Sequence, residues 1–412
     1  MTRRNGTCPR GRAFVKRLLV ALALLSAACG AGSPPAKAAP GYLVGAYYYP
    51  WYYPGHWASH DYAGTHLPVP LEPQFGEYVS DDPKVIANHL DLAATYGIDF
   101  FILSWSLKDS FADLTLRKYL LPAMAQTGVK HAVYLEVPSY NQRDINDPAF
   151  RTRLIDDLRF LGTAFLAHPS ALRVNGRPVL FFYASRVLTG DIPGWMREVR
   201  AMYAGMGLNP FIIADEGFWY EPDLTRVKAY DAITTYNAYD WPRTGDRGWA
   251  ATSGFLPGVE GLFTKWQTAT KAAGTAFVPN AMPGYNDRGV RLGEDHFVIP
   301  RRLSPEASIT SLFEQSVDRA KRFADPTLRM VTITTFNEWH EWTAIEPTRR
   351  ADRKALPNPD AYTEGFPHED FGTAYLEVIR DRLSLDREQL HVEDEHPLRT
   401  PLPLVGEFRR NP

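Results

Sequence analysis

The sharpest chemical feature of this sequence lies near its C-terminal end, where Glu338 and Glu341 bracket Trp339-His340 in the run TITTFNEWHEWTAIEP. On a continuing strand the two glutamates would point to opposite faces. If the chain turns after Asn337, both can face one cavity. Two carboxyl groups on one cavity suit cleavage of a glycosidic bond, in which one protonates the leaving oxygen and the other supplies a base or nucleophile. Glu346, further along, reads as structural. Glu136 and Glu216 are rival carboxylates that bind substrate, act as an acid in their own right, or order long loops. His56 and His60 (HWASH) have the i, i+4 spacing of a helical metal pair, with His66 nearby, but the Glu of an H-E-x-x-H motif is missing. Loop histidines meeting hydroxyl groups are the better reading, and no metal or cofactor is expected.

These side chains need a frame. Mostly apolar runs recur at Leu43–Tyr49, Asp99–Trp105, His131–Val137, Pro178–Tyr183, Pro210–Asp215, Ala232–Tyr236, Ala276–Asn280 and Met330–Phe336. Such runs fit strands buried on both faces of a parallel sheet. Helix starts stand between several of them: Ser80-Asp81-Asp82-Pro83 with Gly97 as the stop, Asp147-Pro148 running to about His168, and Ser304-Pro305 running to about Phe323. The helices between the fifth, sixth and seventh strands are weakly marked. Eight strands alternating with helices predict an α/β fold, a (β/α)8 TIM barrel. The competing doubly wound sheet lacks a Gly-rich phosphate fingerprint after its first strand. Barrel active sites lie at the C-terminal strand ends. There the sequence places Tyr49, Trp51, Trp105, Glu136, Tyr236, Tyr285, Arg291, Asn337, Trp339 and His340. Aromatic faces suit the C–H faces of sugar rings, and carboxylates suit hydroxyls.

Composition narrows the partner. The 412 residues are 45% hydrophobic and 22% charged, as in an ordinary globular protein, and aromatics reach 13%. The net charge of −2 gives no footprint for nucleic acid. Arg3, Arg4, Arg10, Arg12, Lys16 and Arg17 fall within an N-terminal stretch without acids, so the remainder is more acidic still. A neutral oligo- or polysaccharide fits this balance better than a polyanion. The basic stretch precedes an apolar run, Leu18 to Ala28, which is too short to span a bilayer and fits a signal-peptide core. LSAACG resembles a bacterial lipobox, although Ser26 stands where Leu is usual. Residues 1–29 are therefore expected to be a signal peptide with Cys29 as the lipidation site, 30–40 a flexible tether, 41–390 the catalytic domain and 391–412 a tail. The expected location is the outer face of a bacterial membrane, held by the lipid anchor alone, or otherwise secretion. The only cysteines are Cys8 and Cys29, so the barrel must rest on its core rather than on disulfides.

Four segments carry a resemblance. FGEYVSDDPKVIANHLDLAATYGIDFFILSW, GRPVLFFYAS, MPGYNDRGVR and TITTFNEWHEWTAIEP look like successive motifs of glycoside hydrolase family 99, the endo-α-1,2-mannosidases and mannanases. The resemblance implies a metal-free (β/α)8 barrel that retains anomeric configuration. It implies that Glu338 deprotonates the sugar 2-hydroxyl, which closes onto its own anomeric carbon as a 1,2-anhydro sugar. Glu341 would act as general acid and then general base. Trp105, Glu136, Tyr236 and Arg291 fall where that family contacts substrate. The sequence departs from the pattern at Trp342, where Gly is usual, at Tyr183-Ala184-Ser185-Arg186, and at NAYDWPRTG after Tyr236. A looser similarity runs to WbsX-like domains of polysaccharide biosynthesis. The rival functions are accordingly a glycosyltransferase and a non-catalytic carbohydrate-binding lipoprotein.

Overall fold

The computed structural model describes residues 41–58, 71–242, 247–291, 296–351 and 358–384. Cys29, the N-terminal segments, His60, His66 and the tail lie outside them. Eight parallel strands form the barrel: β1 Leu43–Tyr48, β2 Phe100–Trp105, β3 Lys130–Glu136, β4 Arg177–Tyr183, β5 Phe211–Ala214, β6 Ala232–Thr234, β7 in two pieces at Ala276–Val278 and Asn280–Ala281, and β8 Met330–Ile333, with the short antiparallel strand Arg173–Val174 paired to β4. Pro279 splits β7 because it has no N–H to give a ladder. The piece before it pairs with β6, and the piece after it pairs with β8. β8 then pairs with β1, with Leu43 opposite Met330, and β1 with β2. The ring therefore closes, and the predicted (β/α)8 barrel is the observed fold.

The outer layer follows from local signals. Asp82 accepts from the Lys84 N–H and Pro83 opens α1 (Pro83–Tyr96), which ends at Gly97 with φ 81°. α2 joins Phe111–Thr115, the π-helical turn Leu116–Leu120 and Leu121–Met124. Asp147 caps α3 (Pro148–Leu161), which runs on through a π-helical turn to Leu166. α4 is Ile192–Gly205, and α5 is a single turn, Leu224–Val227. α6, Phe255–Ala273, is the longest helix described at 19 residues. Its N-cap is Gly254 with no side-chain cap, which is why the sequence marks its start so weakly. The predicted start of α7 at Ser304-Pro305 is corrected to Ser311 (Ser311–Phe323). Ser304 to Ala307 is a turn, closed by Ala307 N–H to the Ser304 carbonyl and gripped by Arg302 on the Ala307 carbonyl. α8 is Ala374–Ile379.

Strand alternation decides which residues face inward. The Tyr47 ring meets Tyr134, Phe181 and Tyr236 across the barrel at 5.2, 6.2 and 4.7 Å. Tyr48, one residue on, points outward to α1, its hydroxyl 3.0 Å from His89 Nδ1. Gly45 lies below Tyr47 because the buried Phe100 ring fills its side-chain space: a Cβ there would stand 2.3 Å from Phe100 Cζ. Forcing a methyl into a filled core costs roughly 1–3 kcal/mol. Gly45→Ala should therefore lower unfolding stability by about that much in denaturant titration. An unchanged midpoint would mean that Phe100 can yield.

Candidate active site

At the C-terminal end of the barrel the chain leaves β8 and turns, as both carboxylates require. Asn337 fixes the turn. Its Oδ1 accepts from the Tyr49 N–H at 2.8 Å and its Nδ2 donates to the Tyr49 carbonyl at 3.0 Å, while the Tyr52 hydroxyl donates to the Asn337 carbonyl at 2.6 Å. Beneath the turn, Glu346 gathers the Tyr78 hydroxyl, the Trp339 indole N–H and His89 Nε2 at 2.9–3.0 Å. It is a buried structural hub, as the sequence suggested.

Arg301 anchors the far side of the turn. Its guanidinium donates to the carbonyls of Trp342 and Ala344 at 2.9 and 2.8 Å and lies 4.8–4.9 Å from the ring centroids of Trp342, Phe371 and Tyr375. Trp342 has φ 51°, a left-handed backbone that favours glycine. Its ring compensates by stacking on His368 at 4.6 Å as well as on Arg301. The departure from the family pattern thus keeps a backbone that Gly would adopt and adds packing.

The cavity above this turn has a volume of about 540 Å³, and its lining includes Trp51, Tyr53, His56, Ser104, Ser106, Phe111, Arg291, Glu338, His340 and Glu341. Glu338 is buried, and its Oε1 accepts from the His340 backbone N–H at 2.7 Å and lies 2.8 Å from His340 Nδ1. His340 Nε2 is in turn 3.0 Å from His56 Nε2, so the loop histidine serves the carboxylate pair. Glu341 accepts from the Tyr239 hydroxyl at 2.9 Å and approaches Arg291 Nη1 at 3.5 Å. Burial, then the charge of Glu338, push its carboxyl up to about 8 against the pull of Arg291 and Tyr239. Glu136 accepts from the Ser104 hydroxyl at 2.6 Å, and burial lifts it to about 7. Among the described residues no group of three or more His, Cys, Asp or Glu could hold a metal ion.

The remaining predicted residues divide. Trp51 and Arg291 line the cavity. Tyr49 and Tyr236 lie under it, joined hydroxyl to hydroxyl at 2.6 Å, and Tyr285 stacks on Tyr239 at 4.2 Å. Asn337 and Trp339 are buried supports rather than cavity walls. Trp105 needs correction. It is 1% exposed, its indole N–H donates to Asp113 Oδ1 at 2.9 Å, and its ring packs 5.9 Å from Phe160. Alternation along β2 sends Trp105 outward and brings Ser104 and Ser106 inward; period-two counting from Phe100 would have found them. Glu216 is held by both oxygens to Arg226 at 2.8 and 2.9 Å, the structural option. Tyr239, two residues beyond Asn237, is the contact the sequence reading missed.

Residues 43–202 match the model of glycosyl hydrolase family 99. Glycoprotein endo-alpha-1,2-mannosidase of Rattus norvegicus is 25% identical over 382 residues, covering 82% of this chain and 74% of that protein. The Mus musculus enzyme of the same name is 24% identical over 402 residues, covering 86% and 78%. Among solved structures, the GH99 endo-alpha-mannosidase from Bacteroides thetaiotaomicron in complex with bis-tris-propane superposes with a TM-score of 0.59 at 20% identity, covering 84% of this chain and 97% of that one.

Because Trp105 is part of the wall between β2 and the helices, Trp105→Phe should lower stability by about 1–3 kcal/mol through its lost bond to buried Asp113. KM should stay within twofold of wild type. A raised KM at unchanged melting temperature would return Trp105 to the substrate site. The family-model match over residues 43–202, the similar endo-alpha-1,2-mannosidases and the shared barrel make this chain similar to glycosyl hydrolase family 99, and it is a glycoside hydrolase with paired carboxyls on its C-terminal cavity.

Proposed function

We propose that this chain is a retaining, endo-acting hydrolase of α-linked mannose glycans that works through 2-hydroxyl participation. The observation that carries the reading is the contrast between two carboxyls on one cavity. Glu338 is cradled by a backbone N–H and faces His340, whereas Glu341 is lifted to about 8 and so carries a proton at neutral pH. A proton-bearing carboxyl is what a leaving oxygen needs, and an ionised partner is what a 2-hydroxyl needs. Glu338 takes the 2-hydroxyl proton as that oxygen bonds to the anomeric carbon, and Glu341 gives its proton to the departing oxygen. Water then opens the 1,2-anhydro sugar, losing its proton to Glu341 while the 2-oxygen regains one from Glu338. The relatives named as endo-alpha-1,2-mannosidases support the substrate class. Arg291, Trp51 and the Ser104–Glu136 pair are the groups placed to hold the sugar.

Activity needs protonated Glu341, so kcat/KM should fall as pH rises through about 8. Glu341→Gln should lose about 10²–10⁴-fold on a natural glycan and much less on an aryl glycoside with an activated leaving group. Glu338→Gln should fail on both. A substrate lacking the 2-hydroxyl should bind without turnover, and NMR should find the first product anomer retained. Turnover of the 2-deoxy substrate, or inversion, would reject the assignment of Glu338.

The location belongs to the same proposal: the lipobox-like LSAACG supports a lipid anchor on Cys29 with the enzyme outside the cell. Cys29→Ala should move full activity from the membrane fraction to the soluble one. Wild type found wholly soluble and unlabelled by fatty acid would remove the anchor.

A further inference from the structure

Glu341 sits at the end of a buried chain of polar side chains that begins on the opposite side of the barrel mouth. Asp215, at the end of β5, accepts from Arg186 Nη1 at 2.5 Å and from the backbone N–H groups of Ala184 and Tyr236 at 3.0 and 2.9 Å. Arg186 Nη2 donates to Asn237 Oδ1 at 2.7 Å, Asn237 Nδ2 donates to the Tyr239 hydroxyl at 2.8 Å, and that hydroxyl is 2.9 Å from Glu341 Oε2.

The direction of this chain is forced. A guanidinium has donors only, so the Asn237 amide must turn its oxygen to Arg186 and its NH2 to Tyr239. The Tyr239 oxygen is then occupied as an acceptor. If Glu341 also donated to it, the buried phenolic proton would have no acceptor, at the cost of an unsatisfied group. Tyr239 must therefore donate to Oε2. The Glu341 proton is left to Oε1, the oxygen nearer Arg291, which lines the cavity while Tyr239 is buried behind it.

We propose that Arg186, Asn237 and Tyr239 are positioning residues that hold the acid proton of Glu341 on its cavity-facing oxygen, Oε1. The proposal rests on the reading of Glu341 as the general acid. Both Arg186 and Asn237 belong to the segments at which the sequence departs from the pattern it otherwise resembles. The arrangement gives two services. It keeps Oε2 satisfied as an acceptor in both protonation states, so that the carboxyl need not rotate between giving and taking a proton. It also opposes the upward push that Glu341 receives from burial, Glu338 and Asp287, alongside Arg291. Tyr183, Tyr236 and Tyr285 face the same carboxyl, and Asp240 stands near Asp287 and Arg186.

The test is the alkaline limb of kcat/KM, measured on an activated aryl glycoside so that slow variants remain readable. Glu341→Gln is examined first and should lack the limb. Tyr239→Phe removes the donor to Oε2 and should move the limb upward by about one pH unit. Asn237→Asp offers Tyr239 a competing acceptor and places a charge nearby, and it should move the limb the same way. Arg186→Lys keeps the Asp215 pair without the second nitrogen that reaches Asn237, and should give a smaller shift in the same direction. A purely structural role would lower kcat at every pH with the limb unmoved. An unmoved limb in folded Tyr239→Phe and Asn237→Asp, with the limb absent from Glu341→Gln, overturns the relay and leaves the general acid standing. A limb that persists in Glu341→Gln overturns both.

Discussion

The site depends on one reciprocal contact, the side chain of Asn337 against the backbone of Tyr49. It satisfies the N–H and the carbonyl of a single residue at the end of β1 with a residue just past β8. Both groups are buried, so loss of either partner would strand polar atoms away from water. The contact extends the closure of the barrel beyond the last ladder bond between its first and last strands. It also sets the starting direction of the turn that carries Glu338 and Glu341. Trp51 and His56 follow Tyr49, so the same contact brings the β1 loop and the turn bearing the two glutamates to adjoining walls of one cavity. The His56–His340–Glu338 sequence of contacts exists only because those two segments are tied together at their roots.

Electrostatics then sorts the carboxyls. Glu338, Glu341 and Glu136 share the mouth of the barrel, and the charge of Glu338 raises the cost of ionising both of the others. Arg291 at the rim approaches Glu341 at 3.5 Å, while the same nitrogen bonds Asp287 at 2.7 Å. Arg186 and Arg226, two further guanidiniums at this end, are committed to Asp215 and Glu216. Glu341 and Glu136 are thereby pushed toward their protonated forms, a condition that favours acid catalysis and works against stability of the fold. The aromatic wealth of the sequence has its use here: Tyr47, Tyr134, Tyr183 and Tyr236 fill the barrel below the carboxyls and keep water from reaching them from beneath.

The eight strands were legible because each is a short apolar run, and buried parallel strands need nothing more. The start of α1 was legible because Asp82-Pro83 and Gly97 act through their own backbone geometry. α6 was not, since its cap is a glycine in a left-handed conformation, and neither was α7, whose Ser304-Pro305 signal was captured by an Arg302 contact distant from the helix. Within the site, the carboxylate pair could be read from residue type and spacing. Trp105 could not be placed by type, because a Trp at a strand end serves a wall as readily as a sugar; the parity of β2 decided it. Tyr239 was invisible because its importance lies in a bond to a residue 102 positions away.

Arg301 has a consequence of a different kind. It is a permanent cation whose binding partners among the described residues are carbonyl dipoles and aromatic faces, and it has almost no exposure to solvent. Dissolved ions screen charges that reach the surface and leave enclosed ones nearly untouched. Brine should therefore loosen the Arg291–Glu341 contact, whose arginine is 42% exposed, while the turn bearing the two glutamates keeps its shape. Ionic strength thereby becomes a way to vary the field at the mouth of the barrel without disturbing its frame.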